Sequence, residues 1–381
     1  GQDRRQPITP YELPSYGGGV FCGEKVKAEF VKCRLYGNIA PKPATNFTLN
    51  SSLGHGGGIA FERSASIVFD TCSFQRNDAS VGAGMYYLED TPVIADCNFI
   101  ANNAYQGGGL FADGGAGTID NCEFIANLAG GVLSGGPDPN GPGGGGVTAL
   151  TSILGQGGAI ASVTAALQVR NSRMITNYAS TSGAGLFFSG MTDGSTFSPS
   201  MSNVLVVRNL SGRDGGGVSA NWGTRLKMSN CTLADNRATG LFGLNPDDGF
   251  GGGLYAAYHS QVEVIDSIFW ANTAVSGSHI LVGSGFEYDP RPGKVTVSYS
   301  DIPGGWSAPS VVVEDGCTLV QGAGNLVSGS LNPLFVTGRF GNYYLSQLAA
   351  KQTVQSPCVA VGSAVASALG MNLFTTRTDK G

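Results

Sequence analysis

Apolar and polar residues alternate along many short stretches of this chain. Cys97 and Phe99 alternate with the polar Asn98, and further along Leu186 is followed two residues later by Phe188. A period of two residues is typical of β-strands that bury one face. A helical interpretation fails, because each glycine between these stretches would cost about 1 kcal/mol inside a helix. The pattern therefore predicts an all-β fold built from short strands.

An eight-residue phrase recurs eight times, and Cys97 to Ala104 is one of its regular copies. Its first position is usually Cys, its third is usually apolar, and its sixth is always Asn. Repetition of this kind predicts a stack of similar structural units. The repeated asparagines are Asn38, Asn77, Asn102, Asn127, Asn177, Asn209, Asn236 and Asn272. The repeated cysteines are Cys33, Cys72, Cys97, Cys122 and Cys231, and the other three copies begin with Ser172, Val204 and Ser267.

Most copies are followed by three small residues and then an apolar one, as in Gly107-Gly-Gly-Leu110. From the last residue of a triplet to the start of the next phrase the count is 13 or 14, except for 19 between Gly185 and Val204. Such a constant count indicates a fixed path for the chain. Glycine triplets suit a sharp corner, because glycine permits positive φ and close backbone approach.

Stacked coils account for both the spacing and the residue types. The asparagines Asn77, Asn102 and Asn127 are separated by 25 residues, which accommodates three short strands and their turns. Successive coils would stack at about 4.8 Å. Each amide could then bond to the next, since Asn offers both donors and acceptors. The sequence thus predicts a single-domain right-handed parallel β-helix with three-strand coils, an Asn column, and a Cys column that packs as small apolar side chains.

Three long insertions interrupt the coils at the same corner, between the phrase and the triplet. They are Pro41 to His55, Gly130 to Gln156 and Thr239 to Phe250. On a stack they should project along one edge, and binding sites often occupy such loops; tolerated surface insertion is an equally good interpretation. The second insertion could contain an extra coil, because the step from Asn127 to Asn177 is 50 residues, twice 25.

We divide the chain into an N-terminal cap segment at 1–16, coils over 17–290 with insertions at 41–55, 130–156 and 239–250, and final coils with a C-terminal cap over 291–381. A terminal cap is expected because an open end exposes unpaired strand edges. The net charge of −5 provides no basic surface for phosphate, so a nucleic-acid partner is not expected. No stretch is apolar for long enough to predict a membrane span.

The phrase resembles bacterial right-handed parallel β-helix repeat proteins of the pectate-lyase-like solenoid superfamily. The tail, with Leu331-Asn-Pro-Leu-Phe335, Tyr343-Tyr-Leu345 and Ser356-Pro-Cys358, looks like the C-terminal segment of their choice-of-anchor Q surface proteins. That family pattern has Asp where this chain has Asn332, and Asp-Ala where it has Ala360-Val361. The resemblance covers nearly the whole chain. It implies a secreted or cell-surface location, in a bacterium, and little about activity.

Catalytic and metal-binding motifs are sparse. Asp247 and Asp248 could act as an acid–base pair, or could join Asn245 in a Ca²⁺ site; a solvated turn explains them better. A disulfide between Cys317 and Cys358 is one alternative for the cysteines outside the column, and Cys22 has no assigned partner. Lyases of this fold need acidic and basic groups on one face. The nearest such residues are Arg208, Arg213, Asp214, Arg225 and Lys227.

The leading hypothesis is a noncatalytic extracellular or cell-surface β-solenoid with a structural role, self-associating into a filament or layer. The regular scaffold, the 13% charged residues and the lack of a catalytic set motivate it. One alternative is a polysaccharide-binding protein or polysaccharide lyase; another is an adhesin that binds through the insertions. No cofactor is predicted apart from the candidate Ca²⁺.

Overall fold

The chain forms a right-handed parallel β-helix. A computed structural model describes residues 15–40, 54–64, 66–130, 155–190, 197–240, 249–286, 289–326, 332–338, 341–364 and 368. Ten coils can be followed in these ranges, and each coil contributes one strand to each of two long parallel sheets. Among the described residues, no helix is long and apolar enough to cross a membrane.

Sheet I consists of the strands that follow the small-residue triplets, and sheet II of the strands that come next along each coil. Both sheets have ten strands paired in coil order. The strands of sheet I are Val20–Cys22, Ile59–Glu62, Met85–Asp90, Leu110–Gly115, Ile160–Val163, Leu186–Ser189, Val218–Asn221, Leu254–Ala256, Ile280–Val282 and Val311–Val313. The strands of sheet II are Lys27–Val31, Ser66–Asp70, Val93–Ala95, Thr118–Asp120, Gln168–Arg170, Ser200–Ser202, Arg225–Ser229, Gln261–Ile265, Lys294–Ser298 and Thr318–Gln321.

Two further sheets complete the coils. Sheet III contains the phrase strands of coils 1–8: Arg34–Tyr36, Ser73–Gln75, Asn98–Ile100, Glu123–Ile125, Arg173–Ile175, Leu205–Val207, Thr232–Ala234 and Ile268–Trp270. Sheet IV is a fourth column of two-residue strands after the repeated Asn: Asn103–Ala104, Leu128–Ala129, Tyr178–Ala179, Leu210–Ser211 and Arg237–Ala238. The alternation pattern predicted three strands per coil. It did not predict the fourth strand, because two residues are too few to show an alternation.

The remaining elements are short. Ser15–Tyr16 pairs in parallel with Gly54–His55. Antiparallel pairs join Gly285–Phe286 to Asp289–Pro290 and Phe335–Gly338 to Gly341–Leu345, and a 3-10 helix spans Leu348–Ala350.

The core lies inside the coils and is filled by the alternate residues that the sequence pattern identified. Phe74, Phe99 and Phe124 stack face to face on successive coils, with ring centroids 4.6 and 4.4 Å apart. All three are fully buried. Burial of a side chain of this size stabilises the fold by about 1.5–3 kcal/mol. The repeated aromatic position therefore contributes to every coil junction in this part of the stack.

The extra coil considered for Gly130 to Gln156 is contradicted by the stacking. The strand Glu123–Ile125 pairs directly with Arg173–Ile175. Asn127 donates from Nδ2 to Oδ1 of Asn177 at 3.0 Å, so the two asparagines belong to adjacent coils. The 50-residue step is therefore one coil with a long insertion. Of that insertion, residues 131–154 lie outside the described residues.

The described segment 341–364 contacts the side of coils 7–9. Tyr343 donates from its hydroxyl to Asp235 at 2.7 Å, and Ser363 donates from both its backbone N–H and its hydroxyl to Asp266 at 2.6 Å. Cys358 donates from its thiol to Asp301 at 3.2 Å. A carboxylate of each of three successive coils thus receives a hydrogen bond from this segment.

Candidate functional site

The repeated asparagines form one continuous interior column, which we call the amide column. In each step, Nδ2 of one Asn donates to Oδ1 of the next at 2.9 to 3.0 Å, through all eight members from Asn38 to Asn272. The same Oδ1 also accepts the backbone N–H of the preceding Asn. From Asn77 onward, Nδ2 makes a second bond, to a backbone carbonyl of the coil before. These buried amides are therefore well paired.

The residue before each column asparagine has a left-handed backbone, which explains the regular turn at this point. Arg76, Ala101 and Ala126 have φ of 52°, 53° and 53°. This conformation is unfavourable for non-glycine residues and persists where surrounding contacts fix it. Here the hydrogen bonds of the next Asn provide those contacts. The amide column therefore stabilises both the stacking and the local turn.

The column that begins with Cys33 is more polar than the sequence suggested. The backbone N–H of Cys97 donates to Sγ of Cys122 at 3.4 Å, and the N–H of Cys122 donates to Oγ of Ser172 at 3.0 Å. Farther on, Cys231 donates in the same way to Ser267. We call this set the acceptor column. Ser172 and Ser267 keep the acceptor role of the cysteine, whereas Val204 provides no acceptor and interrupts the column.

Every cysteine among the described residues is a free thiol. The alternative of a Cys317–Cys358 disulfide is therefore contradicted, and Cys358 bonds to Asp301 instead. Burial raises the pKa of Cys231 to about 12, so this thiol stays protonated at neutral pH. Cys22 is 7% exposed, in sheet I of the first coil. The thiols act here as packing groups and weak hydrogen-bonding groups.

The three insertions leave from one corner, as the flanking residues show. Parallel bridges connect one residue per coil just before the triplets: His55, Val81, Gln106, Gln156, Ser182, Asp214, Phe250 and Ser276. We call this set the corner column. The structure does not describe residues 41–53, 131–154 and 241–248. Each of these ranges ends just before a member of the corner column, and the three ranges follow coils 1, 4 and 7. The insertions thus recur at every third coil, about 14 Å apart at the usual strand spacing.

Beside the N-terminal half of the corner column lies an aromatic cluster on the outer face of sheet I. Tyr86 packs against His55, with ring centroids 4.4 Å apart, and against Phe111 at 6.0 Å. Tyr86 is 4% exposed and Phe111 is 7% exposed. Sheet I is therefore buried on both faces here. These rings consolidate the corner and present little surface to a ligand.

Farther along, the corner becomes polar. Ser182 donates to Asp214 at 3.4 Å, and Arg213 forms an ion pair with the same carboxylate at 3.5 Å. On the neighbouring strand, Asn221 donates to Ser219 at 3.0 Å. All of these side chains except Arg213 are nearly or fully buried. The corner column is thus hydrogen-bonded through its side chains at Ser182 and Asp214, and its next member, Phe250, is aromatic.

The basic and acidic residues considered for lyase chemistry are not all brought together. Arg213 and Asp214 lie at the corner, whereas Arg225 and Lys227 lie on sheet II. Lys227 approaches Glu263 at 3.6 Å, and both side chains are at least half exposed. Arg208 lies in the turn before Asn209. The arrangement is that of a charged surface.

The candidate Ca²⁺ ligands Asn245, Asp247 and Asp248 lie outside the described residues, so that site stays a prediction. Within the described ranges, no group of three or more His, Cys, Asp or Glu could hold a metal ion. Burial lowers the pKa of His55 and of His279 to about 4, which keeps both rings neutral near pH 7.

Two features of this region escaped the sequence analysis. His279 occupies the last position of a ninth triplet, Gly277-Ser-His279, and its Nδ1 lies 3.3 Å from Nδ2 of Asn272, where the amide column ends. Like the first residue of every other triplet, Gly277 has a positive φ. The sequence pattern did not reveal this triplet, because its last residue is histidine and not a small residue. The second feature is Asp301. Burial raises its pKa to about 6, and its carboxylate accepts a hydrogen bond from Cys358, 57 residues farther along the chain.

The fold and these columns define a class of protein, the right-handed parallel β-helix repeat proteins. Residues 12–140 match a family model described as a right-handed beta helix region. Comparison with curated proteins gives no match. The match and the columns support the architecture, and neither identifies an activity.

Proposed function

We propose that the chain is a noncatalytic structural β-solenoid of the bacterial cell surface or extracellular space, and that it self-associates. The amide column joins the first eight coils by hydrogen bonds, and the corner column carries three insertions at regular intervals along one edge. The tail's resemblance to choice-of-anchor Q surface proteins, through Tyr343-Tyr-Leu345 and Ser356-Pro-Cys358, supports the location.

The observation that carries the proposal is the incomplete burial of core side chains in the terminal coils of the described stack. Most core residues of the middle coils are fully buried, whereas several that point inward from the terminal coils are only partly buried. These are Val20, Val26, Ala28, Phe30 and Cys33 at the first coil and Trp306, Cys317 and Leu319 toward the last. Exposed apolar surface and free strand edges of this kind favour association with another chain.

The test is the mass of the purified protein across a concentration series. Light scattering coupled to size exclusion should show species above 39.0 kDa that grow with concentration. Electron microscopy of the same fractions should show rods or sheets of varying length. A single 39.0 kDa species at every concentration, with only isolated particles on the grid, would refute self-association.

A second candidate function, polysaccharide binding, is favoured by one observation at the corner. Gln106 donates to Gln156 at 3.1 Å, and both amides remain partly exposed beside the second insertion. Amide side chains suit hydroxyl-rich ligands because they donate and accept. A glycan array and a screen of acidic polysaccharides for unsaturated products would test binding and lyase activity. The candidate fails if neither assay gives a signal above that of heat-denatured protein.

A further inference from the structure

We infer that the partner of each terminal coil is the opposite terminal coil of a second copy, joined head to tail so that the β-helix continues from one chain into the next. The inference rests on the proposed self-association and specifies its geometry. The last coil of one copy would pair in parallel with the first coil of the next. Such a contact is heterologous, and because the coils would continue along one axis from copy to copy, it generates an open filament.

The strand spacing of the two terminal coils matches. In the first coil, sheet I begins at Val20 and sheet II begins at Lys27, seven residues later. In the last coil, the corresponding strands begin at Val311 and Thr318, also seven residues apart. The turn residues Lys25 and Gly316 both have positive φ, at 62° and 79°. Strands of both sheets can therefore pair across the junction without a change of register.

Register along sheet I is unbroken from one end to the other. Consecutive pairings connect Val20 to Ile59 at the start and Ile280 to Val311 at the end, each at the first position of its strand. The third positions are Cys22 in the first coil and Val313 in the last. In a continued helix, Cys22 of the second copy would therefore lie directly over Val313.

The acceptor column also has complementary ends. From Cys231 onward the backbone N–H of one coil donates to a side chain of the next, and Ser300 donates in this way to Oδ1 of Asn325 in the last coil. The next acceptor in sequence would be supplied by Cys33 of a second copy. Within one chain, Cys33 begins the column: its N–H donates to Cys72, and its side chain is only partly buried.

The charges of the two ends are opposite. The described residues of the first coil, 17–40, include four exposed cations, Lys25, Lys27, Lys32 and Arg34, against Glu24 and Glu29, which gives +2. Residues 311–326 of the last coil include Glu314 and Asp315 and no Lys or Arg, which gives −2. Attraction between opposite ends and repulsion between like ends favour the head-to-tail orientation.

A disulfide cross-link tests the register. Adjacent parallel strands place facing Cα atoms about 4.8 Å apart, inside the range of about 4.4–6.8 Å that a disulfide requires. Val313→Cys, oxidised with diamide at a concentration where the wild type associates, should bond to Cys22 of the next copy. On a non-reducing denaturing gel we expect a ladder of dimers, trimers and longer species that disappears with reductant.

Two variants serve as matched controls. Val312→Cys places the thiol one residue out of register, on the opposite face of the strand, and should give no ladder beyond that of the wild type. Val313→Cys combined with Cys22→Ser removes the partner thiol and should also give none. Circular dichroism matching the wild type shows that each variant is folded.

The outcomes separate this inference from self-association. If the wild type associates but Val313→Cys gives no ladder, or the same ladder as Val312→Cys, the head-to-tail register is wrong while self-association stands. If the wild type remains a monomer at every concentration, both proposals fail.

Discussion

The amide column and the corner column are built on the same coils, yet one repeats a single residue and the other changes at almost every step. In the amide column each side chain bonds the side chains above and below it, so replacing one amide removes partners from both neighbours. In the corner column the bridges are made by the backbone, and the side chains need not match. Uniform residues therefore mark side-chain pairing, and variable ones mark positions open to local adaptation.

The strongest test of this difference is a pair of truncations in one coil. Asn102→Ala should lower the free energy of unfolding by about 3–4 kcal/mol, since it leaves the amide and backbone N–H of Asn77 without their acceptor. Gln106→Ala, in the corner column, should cost less than about 1 kcal/mol, because it removes one partly exposed hydrogen bond. Urea unfolding followed by circular dichroism gives both values, and equal losses would remove the distinction.

The histidine at the end of the amide column should make stability depend on pH. His279 is buried and neutral, with a pKa of about 4 against 6.5 for an ordinary histidine. Below pH 6.5 the unfolded chain takes up a proton that the folded chain does not, so stability falls as pH drops toward 4, by at most about 3 kcal/mol. His279→Gln should lose less stability than the wild type between pH 7 and pH 4.5.

His55 should contribute to the same pH dependence of stability. Burial also lowers its pKa to about 4, and it lies in the corner column, so His55→Gln should remove a similar share of the pH dependence. The double variant should then show the sum of the two effects, because the sites are far apart along the stack. An unchanged pH profile in both single variants would mean that neither ring is held neutral by burial.

The glycine corner between the two columns should be more sensitive to substitution at the first position of the triplet than at the second. Gly82 has φ of 60°, and a Cβ added there would lie 2.3 Å from the carbonyl oxygen of Met85. Gly82→Ala should therefore cost about 2 kcal/mol. Gly108→Ala, at the middle position, would also bring a Cβ within 2.4 Å of the carbonyl oxygen of Leu128, but it requires no positive φ, so it should cost less than Gly82→Ala. Thermal unfolding of the two variants compares them, and a reversed order would contradict this account of the corner.

The features that repeat along the chain could be predicted from the sequence. The Asn phrase, the triplets and the constant spacing between them predicted a stack of coils, and a right-handed parallel β-helix is confirmed. The interior position of Phe99 followed from alternation alone. These features are local, and each recurs often enough to be separated from chance.

Structural features that occur only once were not predicted, because no repetition in the sequence indicates them. The step from Asn127 to Asn177 matched two coils by coincidence of length, whereas hydrogen bonds between the two residues show one. The contact of Cys358 with Asp301 depends on how the tail lies against the stack, which no period encodes. The polarity of the acceptor column was not predicted, because cysteine counts as an apolar residue in a hydrophobic pattern. In the structure its Sγ accepts backbone N–H groups.

The central claim is that the columns specify the fold and the insertions are additions to it. Gly130 and Gly155, which flank the second insertion, are close together: a Cβ on Gly130 would lie 2.5 Å from Cα of Gly155. Removing residues 131–154 leaves 50 − 24 = 26 residues between Asn127 and Asn177, next to the 25 and 27 of other coils. The direct measurement is urea unfolding of this deletion variant beside the wild type. A single cooperative transition within about 1 kcal/mol of the wild type is predicted, and loss of the cooperative transition would contradict the claim.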